Sequence, residues 1–221
     1  MFSILNLSKT FAQENHKFSV SNVTTRPSTE DLLFNGWEFE YDYSITDRLS
    51  LSLNMQFDRF NSFPKYANKA GAINAFQIDR ENFINGVAKD LTLGNPWVKG
   101  SQNIYTVNAN YSIVKNEKSN LYVTAGAGAN VQDVLEYGLS EIVKDADGSV
   151  KSFKDYTSHY TTILWVAQAG LGYEYTIKNN WLLGANLRYQ FPVSKDEYLF
   201  SIGGINFNEL FKIGVKIGKR F

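Results

Sequence analysis

The chain has 221 residues, 22 basic and 22 acidic side chains, a formal net charge of zero and no cysteine. Disulfides and thiolate chemistry are therefore excluded, and a neutral chain lacks the basic footprint of a nucleic-acid binder. No apolar run approaches the ~20 residues that a membrane-spanning helix needs, yet aromatic residues are plentiful, with 16 Phe, 13 Tyr and 4 Trp.

The N-terminal segment from Met1 to Gln13 shows no strand pattern and has neither a basic start nor a long apolar stretch. Thr10-Phe11-Ala12 followed by Gln13 has the small-x-small form of a cleavage site. Residues 1–15 are read as a leader or signal-peptide remnant, with an ordinary terminus as the alternative, and 16–221 as one domain.

From Lys17 onward the chain alternates with period two, the signature of a half-buried strand. A weak first strand covers about Lys17 to Thr25 and turns through Arg26-Pro27-Ser28-Thr29. In the second, Trp37, Phe39, Tyr41, Tyr43 and Ile45 alternate with Glu38, Glu40, Asp42 and Ser44. After Thr46-Asp47-Arg48, the third sets Leu49, Leu51, Leu53, Met55 and Phe57 against Ser50, Ser52, Asn54, Gln56 and Asp58. A connection of about forty residues, Phe60 to Gln102, leads to the fourth, where Tyr105, Val107, Ala109, Tyr111 and Ile113 form one face. Lys115 to Asn120 turns into the fifth, with Leu121, Val123, Ala125, Ala127, Ala129 and Val131 on one face.

Asp133 to Thr162 forms a second long connection. Asp145-Ala146-Asp147-Gly148 within it lacks the later ligands of a calcium loop and reads as a hairpin turn, so that the fifth and sixth strands project above the membrane and present an exposed edge. The sixth strand carries Ile163, Trp165, Ala167, Ala169, Leu171, Tyr173 and Tyr175 on one face; after Lys178-Asn179-Asn180, the seventh carries Trp181, Leu183, Ala185, Leu187, Tyr189 and Phe191. Pro192 to Asn208 connects to the eighth, Phe211 to Phe221, where apolar residues alternate with Lys212, Gly214, Lys216, Gly218 and Arg220.

Eight amphipathic strands, joined alternately by tight turns and long connections, define an all-β, eight-stranded antiparallel up-and-down transmembrane β-barrel with short periplasmic turns and long extracellular loops. The aromatics fall into two bands. Tyr41, Tyr43, Tyr111, Tyr173, Tyr175, Trp181 and Phe221 lie toward the short turns; Trp37, Phe57, Tyr105, Trp165, Tyr189, Phe191 and Phe211 lie toward the long loops. Rings collect at headgroup depth on both sides of a bilayer. A soluble barrel with its apolar face inward has no reason to band them twice.

The last strand, Phe211 to Phe221, resembles the closing strand of bacterial outer-membrane barrels, which runs out to a C-terminal Phe that the assembly machinery reads; Lys219 departs from that pattern. With the architecture of residues 16–221, the chain resembles small eight-stranded outer-membrane proteins, the OmpX-like and OmpW-like families. The resemblance implies location in the outer membrane, contact with the lipid bilayer and lipopolysaccharide, and the assembly machinery as a partner through the C-terminal strand.

An eight-stranded barrel has an interior just wide enough for side chains to fill it. Glu38, Glu40, Asp42, Asp58 and Glu174 are expected inside, facing Arg188, Lys212, Lys216 and Arg220. Unpaired charges there are costly, so the expectation is a charge-paired plug, with a selective filter or proton path as the alternative.

Only two histidines occur, His16 and His159. Ser158-His159-Tyr160 with Asp155 invites comparison with barrel enzymes that modify lipid A, but Thr161 stands where their pattern has Ser. A polar rim histidine is the favoured reading, and no cofactor or metal is expected. The function expected is that of a non-enzymatic surface barrel with an envelope role that binds an unidentified extracellular ligand through its loops. A small-solute pore is the alternative, and a lipid A-modifying enzyme a third reading. In the second connection, Asp79 to Ile84 reads as a helical turn, with Phe63, Tyr66, Phe76 and Trp97 as apolar loop residues.

Overall fold

Alternation along the sequence becomes pairing around a ring. The computed structural model describes residues 15–27, 33–61, 97–144, 146, 150–193, 201–202, 205–206 and 209–221. Its strands are β1 (His16–Pro27), β2 (Phe34–Ser44), β3 (Leu49–Asn61), β4 (Trp97–Lys115), β5 (Ser119–Lys144), β6 (Val150–Thr176), β7 (Trp181–Pro192), β8 (Ser201–Ile202), β9 (Ile205–Asn206) and β10 (Leu210–Arg220). The ring order β1-β10-β7-β6-β5-β4-β3-β2 closes an antiparallel barrel of eight strands, while the short β8 and β9 form a separate two-stranded sheet. Closure runs from Lys17 opposite Arg220 to Pro27 opposite Leu210, so neither edge of the sheet is left open in the wall. Residues 1–14 of the expected leader, the Ser28-Thr29 turn, the apolar residues Phe63, Tyr66 and Phe76, the Asp79 to Ile84 segment, and Asp145, Asp147 and Gly148 lie outside the described residues.

The tight turns have local chemical causes. Thr46 Oγ1 accepts hydrogen bonds from the backbone N–H of Arg48 at 3.3 Å and of Leu49 at 3.0 Å. Asn116 Oδ1 accepts from the N–H of Lys118 at 3.0 Å and of Ser119 at 2.7 Å. Such side chains replace a missing ladder partner within a turn. Asn179 and Asn180 adopt left-handed φ values of 59° and 61°, a conformation that asparagine tolerates better than most residues.

Burial is inverted relative to a soluble protein. Trp37, Trp165, Val107, Ile213 and Val215 are 56 to 69% exposed on the outside, whereas Glu38, Asp58, Gln102 and Lys212 are at most 2% exposed inside. A closed barrel satisfies its backbone hydrogen bonds internally, so this exterior is suited to hydrocarbon and the structure is a membrane-spanning barrel of the outer-membrane type.

Two expectations need correction. The connection expected from Asp133 to Thr162 is strand for most of its length, since β5 continues to Lys144 and β6 begins at Val150, in keeping with the projecting hairpin read there but longer than the sequence pattern marked. Likewise β3 runs to Asn61 and β4 begins at Trp97 rather than Tyr105. Beyond the bilayer both faces of a strand meet water, so apolar alternation fades although the backbone ladder continues. The parity of β1 also differs from that of the other strands. Its inward residues are odd-numbered, namely Lys17, Ser19, Ser21, Val23 and Thr25, because Lys17 pairs with Asp42 and so shares the inward face of the even residues of β2.

Candidate functional site

The wall aims an ordered stack of side chains into the lumen. Toward the periplasmic end, three cations and four carboxylates interlock. Lys17 Nζ lies 2.6 Å from Glu174, 3.5 Å from Asp42 and 3.6 Å from Glu40. Lys216 Nζ lies 2.6 Å from Glu174 and 3.1 Å from Glu40, and it also donates to Tyr122 Oη at 2.7 Å. Arg188 pairs with Glu38 through Nη1 and with Glu40 through Nη2 at 3.0 Å. Glu40 therefore touches all three cations, and Asn54 Nδ2 donates to its Oε2 at 3.1 Å.

Glycine makes room for this cluster. Tyr122 on β5 stands opposite Gly172 on β6, where an added Cβ would fall 2.2 Å from the Tyr122 ring. Only a residue without a side chain lets the phenol lie against the wall and reach Lys216.

Amides form the next layer outward. Asp58 Oδ2 accepts from Gln56 at 2.7 Å, Gln102 at 2.8 Å and Thr25 at 2.9 Å. Lys212 donates to Gln190 Oε1 at 2.6 Å, and feels Asp58 and Glu38 only through space. Beyond these, Phe34, Phe60, Ile104, Val134 and Leu210 form a buried apolar cluster. Phe34 and Phe60 stack with centroids 4.6 Å apart. At the opposite end a polar cavity of about 660 Å³ opens among Lys17, Asp42, Asp47, Lys115, Glu174 and Arg220. The lumen is thus an apolar cap outward, amides and charges in the middle, and a wet vestibule toward the periplasm.

Of the nine charged residues expected inside, the structure joins Glu38, Glu40, Glu174, Arg188 and Lys216, with Asp42, through ion pairs. Asp58 and Lys212 are buried but hydrogen-bonded to neutral partners. Arg220 stands half-buried at the vestibule. Sequence reasoning missed Lys17, Tyr122 and the apolar cap. Lys17 was legible through the β1–β2 hairpin, whose pairing inverts parity. Phe34, Phe60 and Leu210 were legible as the next inward positions beyond Gly36, Asp58 and Lys212.

The expected lipid-facing aromatics lie on the outer surface: Trp37, Tyr41, Tyr43, Phe57, Tyr105, Tyr111, Trp165, Tyr173, Trp181, Phe191 and Phe221 are exposed, and Tyr189 is half-buried. Tyr189 lies against Phe211, with centroids 4.8 Å apart.

Outside the bilayer, β5 and β6 continue as a hairpin. β4 leaves β5 at Tyr137, and β7 leaves β6 at Val166, apart from the Val193 N–H bond to Trp165. Among the described residues, β6 from Val150 to Leu164 therefore has no ladder partner on its second edge, which at ~3.3 Å per residue is roughly 50 Å of strand. Tyr156 donates its hydroxyl to Glu136. Burial and that carboxylate push the Tyr156 phenol up to about 12.

On this hairpin His159 Nε2 lies 2.5 Å from Asp133 Oδ1, and Thr161 Oγ1 donates to the same oxygen at 3.3 Å. Neighbouring Ser158 points to the opposite face of the strand. The hydroxyl on the histidine's face bonds to the acid and not to the imidazole, so neither Ser158 nor Thr161 is poised against His159 as a nucleophile against its base. Among the described residues, no three His, Asp or Glu side chains converge as metal ligands.

No protein-family model matches the chain. No curated protein matches it either. Among solved structures it is similar to a major outer membrane protein from Thermus thermophilus, with 12% identity over 93% of this chain and 99% of that one, and a TM-score of 0.52. It is also similar to Neisserial surface protein A, with 13% identity over 93% of this chain and 96% of that one, and a TM-score of 0.50. These likenesses concern the fold, which is that of the small outer-membrane β-barrels.

Proposed function

We propose that the protein is a non-enzymatic surface barrel of the outer membrane, closed to solutes, that binds an extracellular partner through the projecting β5–β6 hairpin. The observation that carries this reading is the second edge of β6 from Val150 to Leu164, which no other strand pairs among the described residues. An open edge offers a row of free N–H and C=O groups to an extended segment of another protein. Between Tyr156 and Leu164 it carries no Lys, Arg or Pro, the residues that usually block such edges.

The closed lumen supports the same reading. Charge pairs and the apolar cap fill a barrel already too narrow for a free channel, so a pore is disfavoured. The His159–Asp133–Thr161 arrangement does not have the connectivity of a hydrolase, which disfavours the lipid A-modifying reading.

Replacing residues 135–159 with Asn-Gly, a two-residue hairpin turn, removes ten of the fifteen β6 residues from Val150 to Leu164 and keeps the Val134–Tyr160 pair. Nanodiscs carrying the parent protein should bind extended peptides on an array, and the shortened variant should lose most of that binding. Equal binding by the two, or steady ion-selective current through the parent in planar bilayers, would overturn the proposal.

A further inference from the structure

Positive charge gathers at the periplasmic end. The four points of this rim are the β2–β3, β4–β5 and β6–β7 turns and the end of β10. They carry Arg48, Lys115 with Lys118, Lys178, and Lys219 with Arg220, all exposed or half-exposed. Only Asp47 and Glu117 oppose them on the same turns.

The vestibule does not account for the excess. Its charged lining consists of Lys17, Arg48, Lys115 and Arg220 against Asp42, Asp47, Glu117 and Glu174, four of each sign. Lys118, Lys178 and Lys219 stand outside that lining. They occupy one continuous arc, because β5, β6, β7 and β10 are successive neighbours in the ring. The Thr176 N–H bond to Lys118 O, 2.6 Å long, ties the first two of these turns together.

Depth identifies what this arc meets. Tyr173, Tyr175 and Trp181 sit on the lipid-facing side of the same strands, and such rings mark the headgroup level. Lys219 stands at an outward position of β10, its Nζ 5.7 Å from the Trp181 ring and 5.5 Å from that of Phe221. An ammonium held there faces phosphate and not hydrocarbon.

We propose that Lys118, Lys178 and Lys219 form a binding arc for the headgroups of anionic glycerophospholipids in the periplasmic leaflet. A zwitterionic headgroup offers the same phosphate with an ammonium that offsets it, so the arc selects net negative lipids.

The full-length protein is placed in phosphatidylcholine bilayers with spin-labelled phosphatidylglycerol or phosphatidylcholine as the probe, and the ratio of their association with the barrel is measured. The parent should favour phosphatidylglycerol about threefold or more at low salt. Lys118→Gln/Lys178→Gln/Lys219→Gln should bring the ratio close to one, and the three Lys→Arg changes should retain it. If the triple Gln variant does not fold, as judged by heat-modifiable gel migration, Lys118→Gln/Lys178→Gln alters only turn residues and should still lower the ratio. A parent ratio near one, or Gln variants that match the parent, would overturn the proposal. So would displacement of the lipid by inorganic phosphate at constant ionic strength, which would mark a site for soluble anions.

Discussion

Arg188→Gln probes the buried network where it has least redundancy. Arg188 is 3% exposed and bonds Glu38 with one nitrogen and Glu40 with another. Glu40 keeps Lys216 at 3.1 Å and Lys17 at 3.6 Å after the change. Among the described residues, Glu38 keeps no cation within ion-pair distance and its Oε1 has no hydrogen-bond partner. Between the apolar cap and the vestibule, the buried residues already hold five carboxylates (Glu38, Glu40, Asp42, Asp58 and Glu174) against four cations (Lys17, Arg188, Lys212 and Lys216), so the substitution raises the excess from one to two. Removing one partner of a buried pair costs about 3–5 kcal/mol, and the partners retained by Glu40 place this case near ~3 kcal/mol. Adding Glu38→Gln removes the stranded charge and should recover about 2 kcal/mol. Urea unfolding from lipid vesicles, followed through the fluorescence of the four tryptophans, measures both values. A loss below about 1 kcal/mol for the single variant, or a double variant whose cost equals the sum of the singles, would refute the network.

Arg at Ala127, an exposed outward position flanked by Val107 and Ala167, should cost ~2–4 kcal/mol near the midplane. Equal accessibility of spin labels at Ala127 and Gly128 to an apolar quencher would contradict that assignment. Gly172→Val should destabilise the barrel by displacing Tyr122, and Tyr122→Ala should relieve part of the loss; an additive double variant would rule out the steric cause. The Tyr156 phenol, held at about 12, should titrate above the ordinary tyrosine range in ultraviolet absorbance and fall back in Glu136→Gln. A phenol pKa raised on folding contributes stability that is complete below its unfolded value near 10 and is lost as pH rises toward 12. The hairpin should therefore loosen across that interval, as read by proteolysis of the projecting segment.

Much of this architecture was legible in the chain because a membrane barrel writes its two environments into alternate residues. Glu38, Glu40 and Asp42 between Trp37, Phe39, Tyr41 and Tyr43 determined an inside and an outside before any pairing was known, since side chains on a strand point alternately to opposite faces. Alternation carries this information only where the two faces meet different media. It therefore could not mark β5 and β6 past the bilayer, where water wets both faces and the ladder runs on to Lys144 and from Val150. Nor could it say which inward charges meet. Lys17 reaches Glu174 from 157 residues away, and Lys212 reaches Gln190 instead of a carboxylate. Those contacts depend on closure and strand stagger, which fix heights across the lumen. Periodicity along one strand contains no term for the strand on the far wall, so tertiary structure alone chose the partners.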